Sequence, residues 1–335
     1  MKAYEVHPAE GFDALKLVDR PSPPLGPRDV RVRVRAVSLN YRDLVTVKNA
    51  GRRGPPIVPC SDGAGEVVEV GKDVKRVAVG ARVAATFFPN WIDGEPTAET
   101  FAGALGGDAD GMLAEEVVLD ERAWVPIPEH LSYEEGATLP CAGVTAYAAL
   151  FVVAQLRPGD TILVQGSGGV SIFALQLARA AGARVVATSS SADKRARLEK
   201  LGAYLTLDYV ATPKWGDAVR AATGGRGVDI VVEVGGAGTV DQSVAAIRYG
   251  GTISLMGNLT GSGGPVNLYL LFRKSAKVHG VYVGSRRTFE DLNRAMVESK
   301  IAPIIDRTFA FGEARAAYEH LASGKHFGKV VVKVA

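Results

Sequence analysis

Apolar and polar positions follow two rhythms along this chain. Over residues 30–37, Val32 and Val34 alternate with Arg31, Arg33 and Arg35. That is the period of a strand with one buried face, and it makes the arginines a solvated strand face. Residues 63–70, 81–86 and 112–119 carry further strand patterns, with Gly71 and Gly80 as turn punctuation. Residues 93–111 are rich in Gly, Ala, Asp and Thr and read as a loop. Ser132 and Glu135 then form the spacing of a capping box. The weakly charged residues 138–156 that follow predict a buried helix linking two domains.

Beyond residue 160 strands and helices alternate. A short apolar run at 161–164 meets Gly166, Gly168 and Gly169, a helical pattern follows, and Gly182 closes it. A second apolar run, Arg184–Thr188, ends in three serines. This βαβ unit is the context that a dinucleotide fingerprint needs. Gly166 allows the tight exit from the strand, while Gly168 and Gly169 let backbone amides approach a pyrophosphate at the positive end of the helix. Ser171 takes the third, small position. Helices at 193–201, Trp215–Ala222 and 239–247 separate strands at 204–207, 228–234, 252–256 and 277–283. Six strands with intervening helices predict a doubly wound parallel α/β sheet, a Rossmann arrangement. The tail holds two helical patterns and a last strand, 329–334, able to rejoin the first domain. The expected division is 1–125 plus 285–335 for the β-rich domain and 126–284 for the nucleotide-binding domain.

Composition narrows the function. Hydrophobic residues at 47% and charged residues at 22% describe a soluble globular protein, so the expectation is cytoplasmic. A net charge of +3 gives no reason to expect nucleic acid or membrane as a partner. Cys60 and Cys141 lack CxxC spacing, which argues against a disulfide framework.

The end of the second strand selects the cofactor. NAD sites place a carboxylate there to bind the ribose hydroxyls. Here the position is Ser189, followed by Ser190, with Lys194 and Arg195 one helical turn on. Hydroxyls and cations suit a 2′-phosphate, so NADP(H) is preferred over NAD(H).

Several motifs together resemble the medium-chain dehydrogenase/reductase superfamily over the whole chain. They are SLNYRDL (38–44), VPCSDGAGEVVEVG (58–71), LPCAGVTAYAAL (139–150), the GSGGVS turn, VEVGG (232–236) and HFGKVVV (326–332). The closest similarity is to the zinc-independent, quinone-oxidoreductase-like branch. The resemblance implies a GroES-like catalytic domain beside the Rossmann domain. It also implies that Thr145 touches the nicotinamide, that Gly169 and Val170 supply pyrophosphate amides, and that Lys194 sits at the adenosine ribose. Val234 and Gly235, Met256 and Gly257, and Val281 to Val283 would line the nicotinamide, with Phe327 to Lys329 returning to the site. The family commonly forms homodimers through the edge strand matched by 277–283.

Where the family's zinc enzymes hold the catalytic metal with Cys, His and Cys, this chain has Asn40, Ser61 and Cys141. The lobe that carries a second zinc through four cysteines has none at 87–112. No metal is therefore expected, and Cys141 is expected to be a small buried residue. Hydrogen-bond donors must then stabilise the substrate oxygen, which favours activated acceptors, quinones or α,β-unsaturated carbonyls. In the family's active-site segment the donors are Asn40, Tyr41 and Arg42, with Ser61 and Asp62 opposite. Tyr41 is the favoured proton donor, and Arg42 with Asp43 reads as a structural ion pair. Two alternatives are an alcohol dehydrogenase or aldehyde reductase of the same family and a low-turnover nucleotide-binding or redox-sensing protein.

Overall fold

The structure is a computed structural model that describes every residue except Arg53, Ser262, Pro265 and Ala335. It divides into two compact units, Met1–Val144 with Gly284–Ala335, and Thr145–Val283. The second boundary falls within a residue of the expected one. The first lies at 144/145 rather than 125/126. Two features hold residues 126–144 in the first unit: Pro126 pairs with Val83, and the Cys141 amide bonds Asp62.

In chain order the strands are β1 (Lys2–Val6), β2 (Leu15–Asp19), β3 (Asp29–Leu39), β4 (Asp62–Val70), β5 (Arg82–Ala85), β6 (Glu116–Asp120) and β7 (Trp124–Pro126). There follow β8 (Thr161–Gln165), β9 (Arg184–Thr188), β10 (Leu205–Leu207), β11 (Val228–Glu233), β12 (Ile247–Leu255) and β13 (Lys277–Gly280). The tail adds β14 (Ile305–Ala310) and β15 (Lys329–Lys333).

The first unit is built on β3. Its sheet runs β14-β15-β3-β4-β5-β7, with β6 also paired to β3. Val30, Val32 and Val34 are fully buried, as the alternation requires. The arginines between them form a ladder: Arg31 pairs with Glu69 at 2.8 Å and Arg35 with Glu66 at 3.0 Å. β15 does rejoin this unit, antiparallel to β3. Because β4 and β15 both run antiparallel to β3, the end of β3 lies beside the starts of both. Ser38 stands opposite Asp62, and Leu39 opposite Val330. This register gathers Asn40, Asp62 and Lys329.

Residues 93–111 are not wholly loop, because Ala98–Phe101 forms one helical turn capped by Thr97. In this cysteine-free lobe the rings of Phe88 and Phe101 stack at 4.8 Å, and Trp91 meets Phe101 edge-on at 5.4 Å. The strand expected at 112–119 begins only at Glu116. Residues 138–156 are not one regular helix: two wide turns, Leu139–Gly143 and Ala148–Val153, flank the α-turn Val144–Tyr147.

The second unit is a sheet of order β10-β9-β8-β11-β12-β13, with every pairing parallel. Its middle strands bury both faces: every residue of β8 and β11 is buried. The order reverses between β8 and β11, the switch point at which such sheets bind nucleotides. β13 is the edge strand, but it ends at Gly280 and is exposed throughout. The apolar surface there comes mainly from the preceding helix Leu268–Arg273, whose Leu268 and Phe272 are 71% and 68% exposed.

Candidate active site and nucleotide-binding site

In the first unit, Asn40 directly follows β3 and caps the helix Tyr41–Lys48. An N-cap side chain ordinarily accepts a hydrogen bond from the helix. Here Asn40 Oδ1 takes one from Lys329 Nζ at 2.5 Å, and Lys329 also donates to the Leu39 carbonyl at 2.8 Å. Lys329 is 3% exposed. Asp62, fully buried, accepts from Ser61 Oγ at 2.7 Å and from the Cys141 amide at 3.1 Å. Burial raises the Asp62 pKa, opposed by the nearby charge of Lys329 and by the hydrogen-bonding groups of Asn40, Ser61 and Cys141.

Asp43 turns back on Asn40, accepting its backbone N–H at 2.7 Å. Complete burial lifts the Asp43 pKa to about 6. Arg42 does not pair with it. The guanidinium donates to the Leu105 carbonyl at 2.5 Å and lies over the Phe87 ring. The expected Arg42–Asp43 ion pair is thus replaced by two separate attachments, because the helix start draws Asp43 to the Asn40 amide. Tyr41 occupies the first helical position and is 41% exposed. Among the described residues no hydrogen bond joins it to the cluster.

The three metal-ligand positions of the zinc enzymes do not fit the ion. Asn40 Oδ1 is occupied by an ammonium, Ser61 Oγ is bound to Asp62, and burial pushes the Cys141 thiol far above its ordinary range. One thiol beside an amide and a hydroxyl falls short of the three protein ligands that zinc takes. Among the described residues no group of three or more His, Cys, Asp and Glu side chains stands close enough to hold a metal. Cys60 is buried, with Sγ 3.2 Å from Tyr318 Oη, whereas Cys141 is only partly buried rather than the small buried residue expected.

In the second unit, Gly166 has φ +70°, and an added Cβ at Gly166 or Gly168 would meet open space. The helix Gly169–Ala180 starts there with Gly168 as N-cap and no side-chain cap, so its first turn, Val170 included, carries amides without a partner inside the helix. Ser171 Oγ closes the turn onto the Gln165 carbonyl at 2.6 Å. This geometry fits a dinucleotide pyrophosphate. Ser189 is buried and its Oγ accepts from the Ser191 amide, whereas Ser190 is exposed. Arg195 differs from the expectation of a cation free for phosphate: it bonds the Ser189 carbonyl and Asp208, both at 2.8 Å.

At the other side of the switch point, residues 233–238 and 256–261 are zipped together. The Met256 amide bonds the Glu233 carbonyl, and Thr260 Oγ1 the Gly235 carbonyl. Gly257 lies so close that a Cβ there would stand 2.0 Å from the Val234 carbonyl oxygen. Val281 is buried, and its amide bonds the Leu255 carbonyl. Val283 has φ +62°, a strained value for a β-branched residue. Thr145 is buried at the start of this unit, and Phe327 is buried in the first unit two residues before Lys329.

A GroES-like unit with a polar cluster, joined to a parallel nucleotide-binding sheet, defines a two-domain oxidoreductase. Residues 26–129 match the alcohol dehydrogenase GroES-like domain family, and residues 169–298 match the zinc-binding dehydrogenase family. The chain is 42% identical to a zinc-type alcohol dehydrogenase-like protein of Schizosaccharomyces pombe over 99% of both. It is 32% identical to a quinone oxidoreductase of Pseudomonas aeruginosa, covering 92% of this chain and 91% of that one. A solved structure described as an NAD-dependent alcohol dehydrogenase superposes with a TM-score of 0.90 at 32% identity, covering all of both chains. The chain belongs to the medium-chain dehydrogenase/reductase family and is an oxidoreductase of that family.

Sequence reasoning missed two features. One is Lys329 reaching Asn40, 289 residues away, where only the resemblance marked Lys329. The other is the buried pair Gln165 and Glu233 at the switch point. A glutamate directly after the apolar run 230–232 was the available signal.

Proposed function

We propose that the protein is an NADPH-dependent, zinc-independent reductase of quinones or α,β-unsaturated carbonyls. The observation that carries this reading is the residue set at the metal position: an asparagine amide held by an ammonium, a serine hydroxyl given to Asp62, and a lone thiol. Such a site stabilises a substrate oxygen by hydrogen bonding, which suits acceptors whose reduction places charge on oxygen without a strong Lewis acid. The likeness to a quinone oxidoreductase supports the same substrate class.

The glycine turn and the first amides of Gly169–Ala180 would hold the pyrophosphate, and Ser189, Ser190 and Lys194 the 2′-phosphate. Val234, Gly235, Met256, Gly257, Val281, Val283 and Thr145 would hold the nicotinamide, which when bound supplies a hydride. The acceptor carbon gains a C–H bond and its electron pair, and the displaced electron pair comes to rest on the substrate oxygen. Asn40 Nδ2 donates to that oxygen. Tyr41 or water then delivers the proton that completes the reduction. Asp62 orients the Ser61 hydroxyl and the turn carrying Cys141, and Arg42 anchors the helix Tyr41–Lys48 to the Leu105 loop.

The partner surface we assign is a second copy of this chain. β13 leaves one row of backbone groups unpaired, and the helix before it exposes Leu268, Tyr269 and Phe272. An open strand edge beside an apolar patch is self-complementary across a two-fold axis.

The deciding experiment is consumption of NADPH by the purified protein with quinones, enones and saturated aldehydes, alongside elemental analysis. Turnover of quinones or enones without stoichiometric zinc is expected. Turnover of saturated aldehydes alone, lost on chelation, assigns an alcohol dehydrogenase instead. Nucleotide binding without any turnover assigns a non-catalytic role.

A further inference from the structure

Lys329 is an ammonium sealed inside the first unit. Its two acceptors in the structure are the Leu39 carbonyl and Asn40 Oδ1. Lysine has donors only, so this contact fixes the amide orientation: the oxygen faces Lys329 and Nδ2 faces away. Asn40 is 9% exposed, and among the described residues Nδ2 has no acceptor within hydrogen-bonding geometry. Asp62 lies on that side beyond hydrogen-bonding geometry, near enough for the amide to stabilise its carboxyl. A buried amide donor left without an acceptor is unfavourable, and a bound acceptor removes that cost.

We propose that Lys329 is a positioning residue for the reaction: acting through Asn40, its ammonium supplies the fixed positive charge for which the zinc enzymes of the family use a metal. The proposal rests on the reductase reading above. The amide transmits the charge because its two ends are coupled. An ammonium on Oδ1 draws electron density from nitrogen and makes the Nδ2–H bonds stronger donors. The orientation is set before substrate arrives, so no reorganisation is needed as charge develops on the substrate oxygen. The resemblance alone placed Lys329 at the cofactor. The structure gives its ammonium to Asn40 instead.

Lys329→Gln separates charge from hydrogen bonding, because a glutamine amide still donates to Leu39 and Asn40. Lys329→Arg keeps the charge. With an enone or quinone that the wild type turns over, Lys329→Gln should lower kcat by about tenfold or more, the scale of losing part of an oxyanion contact. The dissociation constant for NADPH should stay within about twofold, and Lys329→Arg should recover most of the rate. In an Asn40→Ala background the same substitution should cost less than about threefold, since the two residues act as one unit. A tenfold weaker NADPH affinity with kcat unchanged, or full additivity with Asn40→Ala, overturns the proposal.

A second readout needs no turnover. In asparagine-¹⁵N-labelled protein, the Nδ2 signal of Asn40, assigned by its loss in Asn40→Ala, should move upfield in Lys329→Gln and hold in Lys329→Arg. An unmoved signal rejects the polarised amide. Failure of every substrate, with the signal moving as expected, rejects the reductase reading and leaves the ammonium–amide coupling standing.

Discussion

Gln165 Nε2 lies 2.6 Å from Glu233 Oε2, joining the ends of β8 and β11 where the strand order reverses. Glu233 is fully buried. Its other oxygen accepts from the amides of Gly235 and Gly236 at 2.8 and 3.0 Å and from Thr239 Oγ1 at 2.6 Å. Gln165 Oε1 accepts from the Val234 and Gly235 amides, and the Gln165 carbonyl receives Ser171. One side-chain pair thus ties the glycine turn to the loop at 234–236. Gln165→Leu should destabilise the protein by about 2–3 kcal/mol, the value of a hydrogen bond to a charged group. NADPH should also bind more weakly, while 2′,5′-ADP, which lacks the nicotinamide half, should be little affected. Urea unfolding and the two titrations check this. A stability change under about 0.5 kcal/mol, the scale of a surface substitution, would refute it.

On the proposed reading, cofactor choice would rest on Ser189, Ser190 and Lys194. A charge-assisted contact contributes roughly 1.5–3 kcal/mol, so NADPH should bind about ten- to a hundredfold tighter than NADH at low salt. Ser189→Asp should reverse the preference by repelling the 2′-phosphate and accepting from the ribose hydroxyls. Titrations of both proteins with both cofactors at one ionic strength decide it. An unchanged ratio removes Ser189 from the pocket.

Both thiols should be inert in the folded protein. Burial is the main cause that raises the pKa of Cys60 and of Cys141, and the thiolate is the reactive form. At pH 8, iodoacetamide should modify the native chain far more slowly than the urea-unfolded chain, followed by intact mass. Rapid addition of a single label to native protein marks a reactive cysteine and contradicts the account.

Asp43 gives a pH dependence of definite sign. Its carboxyl titrates near 6 in the folded state against 3.8 for a free side chain. Between those values the folded state holds a proton that the unfolded state has released. Stability from this group is therefore present below the lower value and lost as pH rises through about 6, by up to about 3 kcal/mol at 1.36 kcal/mol per unit. Asp43→Asn keeps an acceptor for the Asn40 amide and removes the buried charge. It should gain on the wild type between pH 4 and pH 8 in urea midpoints; an equal difference at both values speaks against a buried Asp43 charge.

Self-association should depend on the edge of the second unit. Phe272→Glu combined with Leu268→Glu should convert a dimer to monomer in sedimentation velocity at micromolar concentration, with secondary structure retained. A wild type that sediments as monomer, or a variant that remains dimeric, excludes this face.

What the residues alone determined was whatever repeats locally. The alternation at 30–37 set the inner and outer faces of β3, and the run from 161 to 188 set strand, glycine turn, helix and strand. Those patterns hold because a strand or helix must bury its apolar side whatever it meets. Motifs at known spacing likewise carried the family. Wide turns at 139–153 were not legible, since small apolar residues satisfy several helical pitches equally well. Side-chain partners were not legible either. Arg195 lies within reach of a phosphate by spacing, yet Asp208 binds it, and the return of that chain segment is a property of the folded sheet. Lys329 shows the limit most clearly. Nothing in its neighbourhood names Asn40; only the antiparallel register of β15 on β3 brings the ammonium to the amide. Once both were sealed from water, each had to take the other, because an unpaired charge there costs more than the packing returns.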